Sequence, residues 1–375
     1  MSTGMADVVV IGGGVMGLAS ARELRRRAHR VTLLDRSSPG KAASWASAGI
    51  IGATTRDEAD PNCELRRLSR TLWPRFAEEL QAESGLDPEY RENGCLYLAT
   101  EESERAWLER VASHDSSGPD QSEFLDPRAL RGLEPALNKN IQGALRVSGG
   151  NVDPRRLCRA LEIANRRSGV EIVTGATVTQ LTIGGDRVRG VVTTDTEYAA
   201  DLVVLAAGAW SAEIDGVQPA VPVHPQRGQI LALDQTQIGI QHVLLTAGDP
   251  YFVPRCDGRL VVGATREEAG WNASFTAGGI AWLLNRAMDV VPGLAECAIA
   301  EMWIGFRPLS ADGLPLIGPS EIEGLYFLTG HGPSGISPLP GSVALLMAFM
   351  HGERLPFAAD TFDPLRFSRS RPSRR

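Results

Sequence analysis

Residues 7–11, DVVVI, form an apolar run that is short and rich in β-branched side chains. That is the pattern of a strand buried on both faces. GGGVMG follows, and residues 18–27 (LASARELRRR) read as a helix. A second run, residues 30–34 (RVTLL), ends at Asp35, so the chain opens with a strand, a glycine turn, a helix and a strand. Between residues 170 and 211 short runs separated by turn signals predict strands joined by hairpins. The last of these is a buried strand at 202–206 that stops at AAG. Another β-rich block spans 221–265. Helices are expected at 67–83 and 154–167, the second opened by Asp153-Pro154, an N-cap followed by a first-turn proline. A third helix, over 273–291, is broken by Pro292-Gly293. There is no internal repeat and no long linker, so the domains are expected to interleave along the chain.

Composition narrows the class. A chain of 375 residues is long enough for one large core or two domains. With 43% hydrophobic and 22% charged residues it has the make-up of a globular protein, and a net charge of −7 argues against general nucleic-acid binding. The 40 glycines imply many tight turns or close backbone approaches. Cys63, Cys95, Cys158, Cys256 and Cys297 are scattered without a CxxC, which argues against a disulfide framework and against zinc. No metal is expected, and a reducing cytoplasm is the expected location. No apolar run has membrane-spanning length. The apolar start is interrupted by glycines, lacks a basic leader and runs directly into charge, unlike a signal peptide. The basic end, residues 366–375 (RFSRSRPSRR), is expected to be disordered.

GGGVMG supplies GxGxxG at Gly12, Gly14 and Gly17. Gly12 permits the tight turn, Gly14 lets the backbone approach a pyrophosphate, and Gly17 lets the helix pack on the strand. Free N–H groups at the helix start favour the anion. Asp35, closing the second strand 18 residues after Gly17, suits ribose hydroxyls. The motif alone leaves NAD and FAD open. The long small-residue segment that follows, PGKAASWASAGIIG (39–52), fits an extended cofactor such as FAD better than a prompt next helix would.

At this point the sequence resembles the D-amino-acid oxidase superfamily of flavoproteins, and within it most the glycine oxidases of thiazole biosynthesis. The stretches that carry the resemblance are VVVIGGGVMGLASARELRRR, GKAASWASAGIIG, GNVDPRRL, LAAGAWS, RGQI, YFVPRCDGRLVVGAT, GFRPLSADGLPLIGPS and GLYFLTGHG, in order over almost the whole chain. The resemblance implies an α/β fold (α+β overall) with a Rossmann-like FAD-binding domain and an interleaved substrate domain on a mixed or antiparallel sheet. The FAD-binding domain would take residues 1–85, 141–220 and 300–365, and the substrate domain 86–140 and 221–299. Val15, Met16, Asp35, Arg36, Ala43, Ser44, Ala48, Gly49 and Ile50 would line FAD, with Val178 meeting the adenine through its backbone. Trp210 would lie near the cofactor or pack in the core. Gly330, His331, Gly332, Pro333, Ser334, Gly335 and Ile336, in GHGPSGISPLPG, would bring backbone against the flavin ring. The helix after that stretch would point its positive end at the flavin.

The activity implied is oxidation of a small amino acid or amine by hydride transfer to flavin N5, the imine hydrolysing in water and O2 becoming H2O2. Such chemistry needs positioning more than a side-chain acid or base, which agrees with the lack of a Ser/His/Asp constellation. Arg307 is the candidate for the substrate carboxylate, since an arginine fork matches it bidentately. Tyr251 would add a phenol over the substrate. His331 and His224 show no partner in the sequence that would make either a base. Where glycine oxidases usually carry Arg-Asn this chain has Pro333-Ser334, which puts glycine as substrate in doubt. Arg266 is either a compensating second cation or a solvent-facing member of a charged run. FAD is expected to be non-covalent, since 39–52 holds no cysteine or histidine. Rival readings are a dehydrogenase using another electron acceptor, an NAD-dependent dehydrogenase and a non-catalytic flavin-binding subunit. A homo-oligomer is compatible with any of them.

Overall fold

The computed structural model describes residues 6–52, 60–114 and 122–368. Two eight-stranded sheets organise them. Strand β1 (Ala6–Ile11), helix α1 (Val15–Arg26) and strand β2 (Val31–Asp35) form the N-terminal unit that the pattern predicts. In the first sheet β1 runs parallel to β2 on one side and to Glu197–Leu205 on the other. Leu325–Thr329 and Glu171–Thr174 extend the parallel set, and Leu316–Pro319 adds an antiparallel edge. Val8 and Val10 face one core, with Leu18, Leu24 and Leu161. Val9 and Ile11 face the other, with Leu181 and Phe327. Side chains alternate along a strand, so burial on both faces makes the run continuously apolar.

Helix α2 (Ala43–Ala46) is a single turn within the small-residue segment. Helix α3 (Cys63–Ser84) starts four residues before the expected helix and stops at Gly85, whose φ of 70° closes it in the left-handed conformation. Leu65, Trp73 and Leu80 on α3 pack in the core beside α1 and the C-terminal helix, Leu339–His351. Arg22 of α1, only 2% exposed, bonds both oxygens of Glu83 on α3.

The helix expected at 154–167 is Pro154–Ser168, and the Asp153 carboxylate accepts from the amides of Arg155 and Arg156. The one expected at 273–291 is shorter, Ala277–Val290, because the Thr276 hydroxyl caps it by accepting from Gly279 N. Glu102–His114 and Pro127–Leu133 are further helices that the pattern did not predict.

The second sheet runs Ile299–Ser310, Val223–Asp234, Arg259–Gly263, Tyr251–Pro254, Val243–Leu245, Cys95–Ala99, Gly143–Val147 and Glu123–Leu125. Every pairing is antiparallel except that of Val243–Leu245 with Cys95–Ala99, so the sheet is mixed, as expected. Gly143–Val147 and Ile299–Ser310 pair here although the sequence ranges put them with the cofactor-binding part.

At the C-terminus Arg366 bonds Asp312 and the Leu314 carbonyl, which holds the start of the expected tail against the body. The rest of that tail, 369–375, lies outside the described residues. Among the described residues no helix is long and apolar enough to cross a membrane. All five cysteines are free thiols.

Candidate active site

The turn between β1 and α1 explains each motif glycine separately. Gly12 has φ 102°, and a Cβ there would fall 2.4 Å from the Ala206 carbonyl oxygen. A Cβ on Gly17 would fall 1.8 Å from the Gly12 carbonyl oxygen, so the helix sits directly on the turn. Gly14 is the N-cap of α1 and carries no side chain to cap it. The cap comes from elsewhere: Val15 N donates to Ser44 Oγ at 3.0 Å. Gly13 N donates to Asp35 Oδ2 at 2.6 Å, while Ser37 N donates to Oδ1 at 2.7 Å. Asp35 therefore fixes the turn as well as ending β2. Ala176 N donates to the Asp35 carbonyl, which brings buried Val178 alongside. The side chains of Val15, Met16 and Ile336 are buried in the core.

The small-residue segment runs between the two sheets. Gly40 N bonds the Gly13 carbonyl at 2.7 Å. Trp303 Nε1 donates to the Ala46 carbonyl at 2.9 Å, and a Cβ on Gly305 would fall 2.7 Å from Ala46 Cβ. Arg255 donates to the carbonyls of Ala48 and Val152 at 2.6 and 3.0 Å and to Asn151 Oδ1 at 3.0 Å. Gly49, with φ 69°, would place a Cβ 2.0 Å from the Val152 carbonyl oxygen, and Ile50 pairs with Asn151. Small residues are needed here because backbone meets backbone.

On the sheet face against Ala46 lie Arg307 and Tyr251. Gly228 pairs with Gly305, and the Arg307 guanidinium crosses over Gly228 to donate from Nη1 to the Thr265 carbonyl at 3.0 Å. Tyr251 lies over Gly263 in the same way, its Oη 2.5 Å from where a Cβ would be. Burial pushes the Tyr251 phenol up to about 12, with the nearby Arg307 charge partly opposing it. It is neutral at physiological pH. Among the described residues no carboxylate pairs with Arg307. Arg266 differs: its side chain is 57% exposed and bonds Asp249 Oδ2 at 2.7 Å, so its charge is already matched.

The stretch 330–341 contains two kinds of glycine. Gly330 and Gly332 have φ of 75° and 53° and shape the bend, which continues as a 3-10 turn at Gly332–Ser334 and on through Gly335. Gly341 serves packing: its amide donates to Ser69 Oγ of α3 at 2.9 Å, and a Cβ would fall 2.5 Å from that oxygen. Trp73 Nε1, also on α3, holds the Ser337 carbonyl at 2.9 Å. His331 is buried with its Nε2 3.1 Å from Ser342 Oγ, and burial pulls its pKa down to about 3. It is neutral at physiological pH and does have a partner. His224 has one too, pairing with Glu268 at 3.2 Å on the surface. A cavity of about 160 Å³ opens against the bend, lined by His331, Pro333, Ser334, Pro315, Asn62 and Arg66. Asn62 and Arg66, which no motif singles out, come from the start of α3, about 270 residues away in the chain. Arg66 bonds Asp60 at 2.6 Å.

Trp210 is half-buried rather than packed in the core. Its ring stacks on Trp271 at 4.4 Å, with the Arg36 guanidinium 4.7 Å over it. Trp271 in turn donates to Glu213 and meets Phe306, the neighbour of Arg307, edge-on. An aromatic row thus runs from the end of β2 to the strand carrying Arg307.

Residues 7–350 match the family described as DAO, FAD dependent oxidoreductase. The chain is 34% identical over 371 residues to the bifunctional protein ThiO/ThiG of Synechocystis, covering 96% of this chain and 54% of that protein, so it spans about half the relative's length. It is 30% identical to the hydrogen cyanide synthase subunit HcnC of Pseudomonas aeruginosa, over 96% of each chain. The fold superposes on the crystal structure of glycine oxidase from Geobacillus kaustophilus with a TM-score of 0.89 at 30% identity, over 96% of this chain and 98% of that one.

Proposed function

The chain belongs to the DAO family of FAD-dependent oxidoreductases, and on that premise we propose that it oxidises a small amino acid or amine, in the manner of glycine oxidase, with O2 as electron acceptor. The observation that carries this reading is the Arg307 guanidinium. It lies flat over Gly228 beside Tyr251, unpaired by any carboxylate among the described residues, on the sheet face that packs against Ala46. A planar fork in that position suits a substrate carboxylate.

The donor set fits FAD. The N-terminus of α1 opens at a residue without a side chain, which suits a pyrophosphate. The Asp35 carboxylate ends the neighbouring strand, as a ribose partner should. The segment from Ala43 to Ile50 has the small residues that a long cofactor lying along it requires. Gly12, Gly14, Val15, Met16, Gly17, Asp35, Arg36, Ser44, Ala48, Gly49 and the backbone at 330–336 would hold the group, non-covalently. When bound, FAD supplies the two-electron acceptor for oxidation at the carbon bearing nitrogen.

The protein's own part is positioning. Arg307 holds the carboxylate, and the neutral Tyr251 phenol donates a hydrogen bond beside it. His331 keeps the bend rigid and, being neutral, adds no charge near the cofactor. Substrate loses a hydride and a proton in becoming an imine, and water then releases the nitrogen. The cavity at Pro333 would receive the rest of the substrate, with the Asn62 side-chain amide at its edge, while the Arg66 charge there is matched by Asp60 as that of Arg266 is by Asp249.

Anaerobic mixing of the FAD-loaded protein with glycine, sarcosine, D-amino acids and imino acids tests the reading. Loss of flavin absorbance with at least one is expected, and H2O2 on admitting air. No bleaching with any of them would overturn it. Bleaching without peroxide would favour a different electron acceptor. The identity to HcnC favours a second reading in which the same site works inside a larger assembly, and co-purification of partner subunits would distinguish it.

A further inference from the structure

We propose that Thr265 and Glu267 are positioning residues for Arg307 and thereby set the strength with which the site grips a carboxylate. This rests on the reading of Arg307 given above. Arg307 Nη1 donates to the Thr265 carbonyl at 3.0 Å, so the orientation of that peptide helps set the plane of the guanidinium, alongside Gly228 beneath it and the Tyr251 hydroxyl. Thr265 follows the end of strand Arg259–Gly263, and its peptide is fixed in turn by neighbours. Gln229 N donates to Thr265 Oγ1 at 2.9 Å, and Thr265 N donates to the Gln229 carbonyl. The same hydroxyl donates to Glu267 Oε1.

Glu267 is the hub. Gln229 Nε2 donates to Oε1 at 2.7 Å, and Arg227, 4% exposed, donates to Oε2 from Nε at 3.1 Å and from Nη2. The main chains of Arg227 and Glu267 also exchange two hydrogen bonds of 3.0 Å. Although burial opposes ionisation, the hydrogen bonds from Thr265, Arg227 and Gln229 hold the Glu267 carboxyl below its ordinary range. It is therefore a fixed anion.

Successive side chains leave a strand on opposite faces. Arg227 and Gln229 thus lie behind the sheet, while Arg307 lies over Gly228 in front. The network cannot touch a substrate directly. Its influence passes through one peptide, from the Thr265 hydroxyl behind to the Thr265 carbonyl in front. Arg227 Nη1 also holds the carbonyls of Asn272 and Ser274, so the loop carrying Trp271 is tied to the same hub.

The test uses FAD-loaded wild type and the variants Thr265→Val, Thr265→Ser, Glu267→Gln and Arg307→Lys. Each is titrated with acetate, a carboxylate with no oxidisable nitrogen, followed by the perturbation of flavin absorbance. Thr265→Val keeps the side-chain shape and removes the hydroxyl. It and Glu267→Gln are expected to weaken acetate binding about tenfold. Thr265→Ser, which restores the hydroxyl, should return to within about twofold of wild type. The dissociation constant for FAD, which a general loosening of the fold would raise, should stay within about twofold throughout. Acetate binding unchanged in Thr265→Val and Glu267→Gln but weakened in Arg307→Lys overturns the positioning role alone. Binding unchanged in Arg307→Lys as well overturns the assignment of Arg307 and this inference with it.

Discussion

The guanidinium of Arg307 lies so close over Gly228 that a Cβ on the glycine would come within 2.8 Å of both its terminal nitrogens. The atoms that would clash are the far end of a flexible side chain, not backbone. A Gly228→Ala chain can therefore fold by moving Arg307 aside.

That separates stability from function. Gly228→Ala is expected to shift the melting temperature by only a few degrees, a change of about 1 kcal/mol or less. The KM for amino-acid substrates should rise at least tenfold, because the fork no longer meets the carboxylate. Steady-state kinetics and thermal melting on one preparation check both halves. A large loss of stability with normal KM would contradict the packing argument.

Arg307→Lys keeps the charge and loses the fork. A bidentate pair becomes a point contact, so kcat/KM is expected to fall by about 2 kcal/mol, or roughly thirtyfold. A kcat/KM within about twofold of wild type would argue that the charge alone matters.

Asp35 joins turn and strand through Gly13 N and Ser37 N. Asp35→Ala removes both acceptors and the proposed ribose partner. The dissociation constant for FAD should rise at least about tenfold, measured by fluorescence of released flavin after dilution. A protein that keeps FAD as tightly as wild type would remove Asp35 from the cofactor site.

His331 gives an acid-side stability signature. Its folded pKa, pulled down by burial to about 3, lies below the ordinary value of 6.5. Between those values the unfolded chain binds the extra proton. Stability is thus fully present above pH 6.5 and falls as pH drops toward 3, by up to about 1.4 kcal/mol per pH unit from this group. His331→Gln should flatten the dependence of melting temperature on pH in that window. An unchanged slope would assign the acid lability to other groups.

Arg66 faces the cavity at Pro333. Its charge is already matched by Asp60, so Arg66→Ala is expected to change kcat/KM for amino acids with and without a second carboxylate alike, within about twofold. A loss of about tenfold confined to substrates with a second carboxylate would assign it a part in selection.

Local chemistry was the legible part of this protein. The β1–α1–β2 unit, Asp35 and the Asp153-Pro154 helix start are set by short-range rules, and short-range rules can be read from neighbours. Asp126-Pro127 is the same signal, and the Asp126 carboxylate accepts from the amides of Arg128 and Ala129, but the helix it opens is only seven residues long and shows little apolar periodicity. Gly341 answers to Ser69 on another helix, a contact no neighbouring residue announces. What fixes Arg307 was not legible at all. Gly228, Gly263 and Gly305 become one floor only after strands 35 to 77 residues apart pair, and no local spacing encodes that register.

The order in which the sheets can be completed follows from where their strands lie along the chain. Ile299–Ser310 is an edge strand, laid beside Val223–Asp234 after the other seven strands of its sheet exist in sequence. Arg307 follows the last glycine of the GxGxxG turn by 290 residues, and the bend at 330–336 follows it in turn. The turn needs only its near neighbours to form, whereas the proposed carboxylate grip waits on a strand supplied after the rest of its sheet.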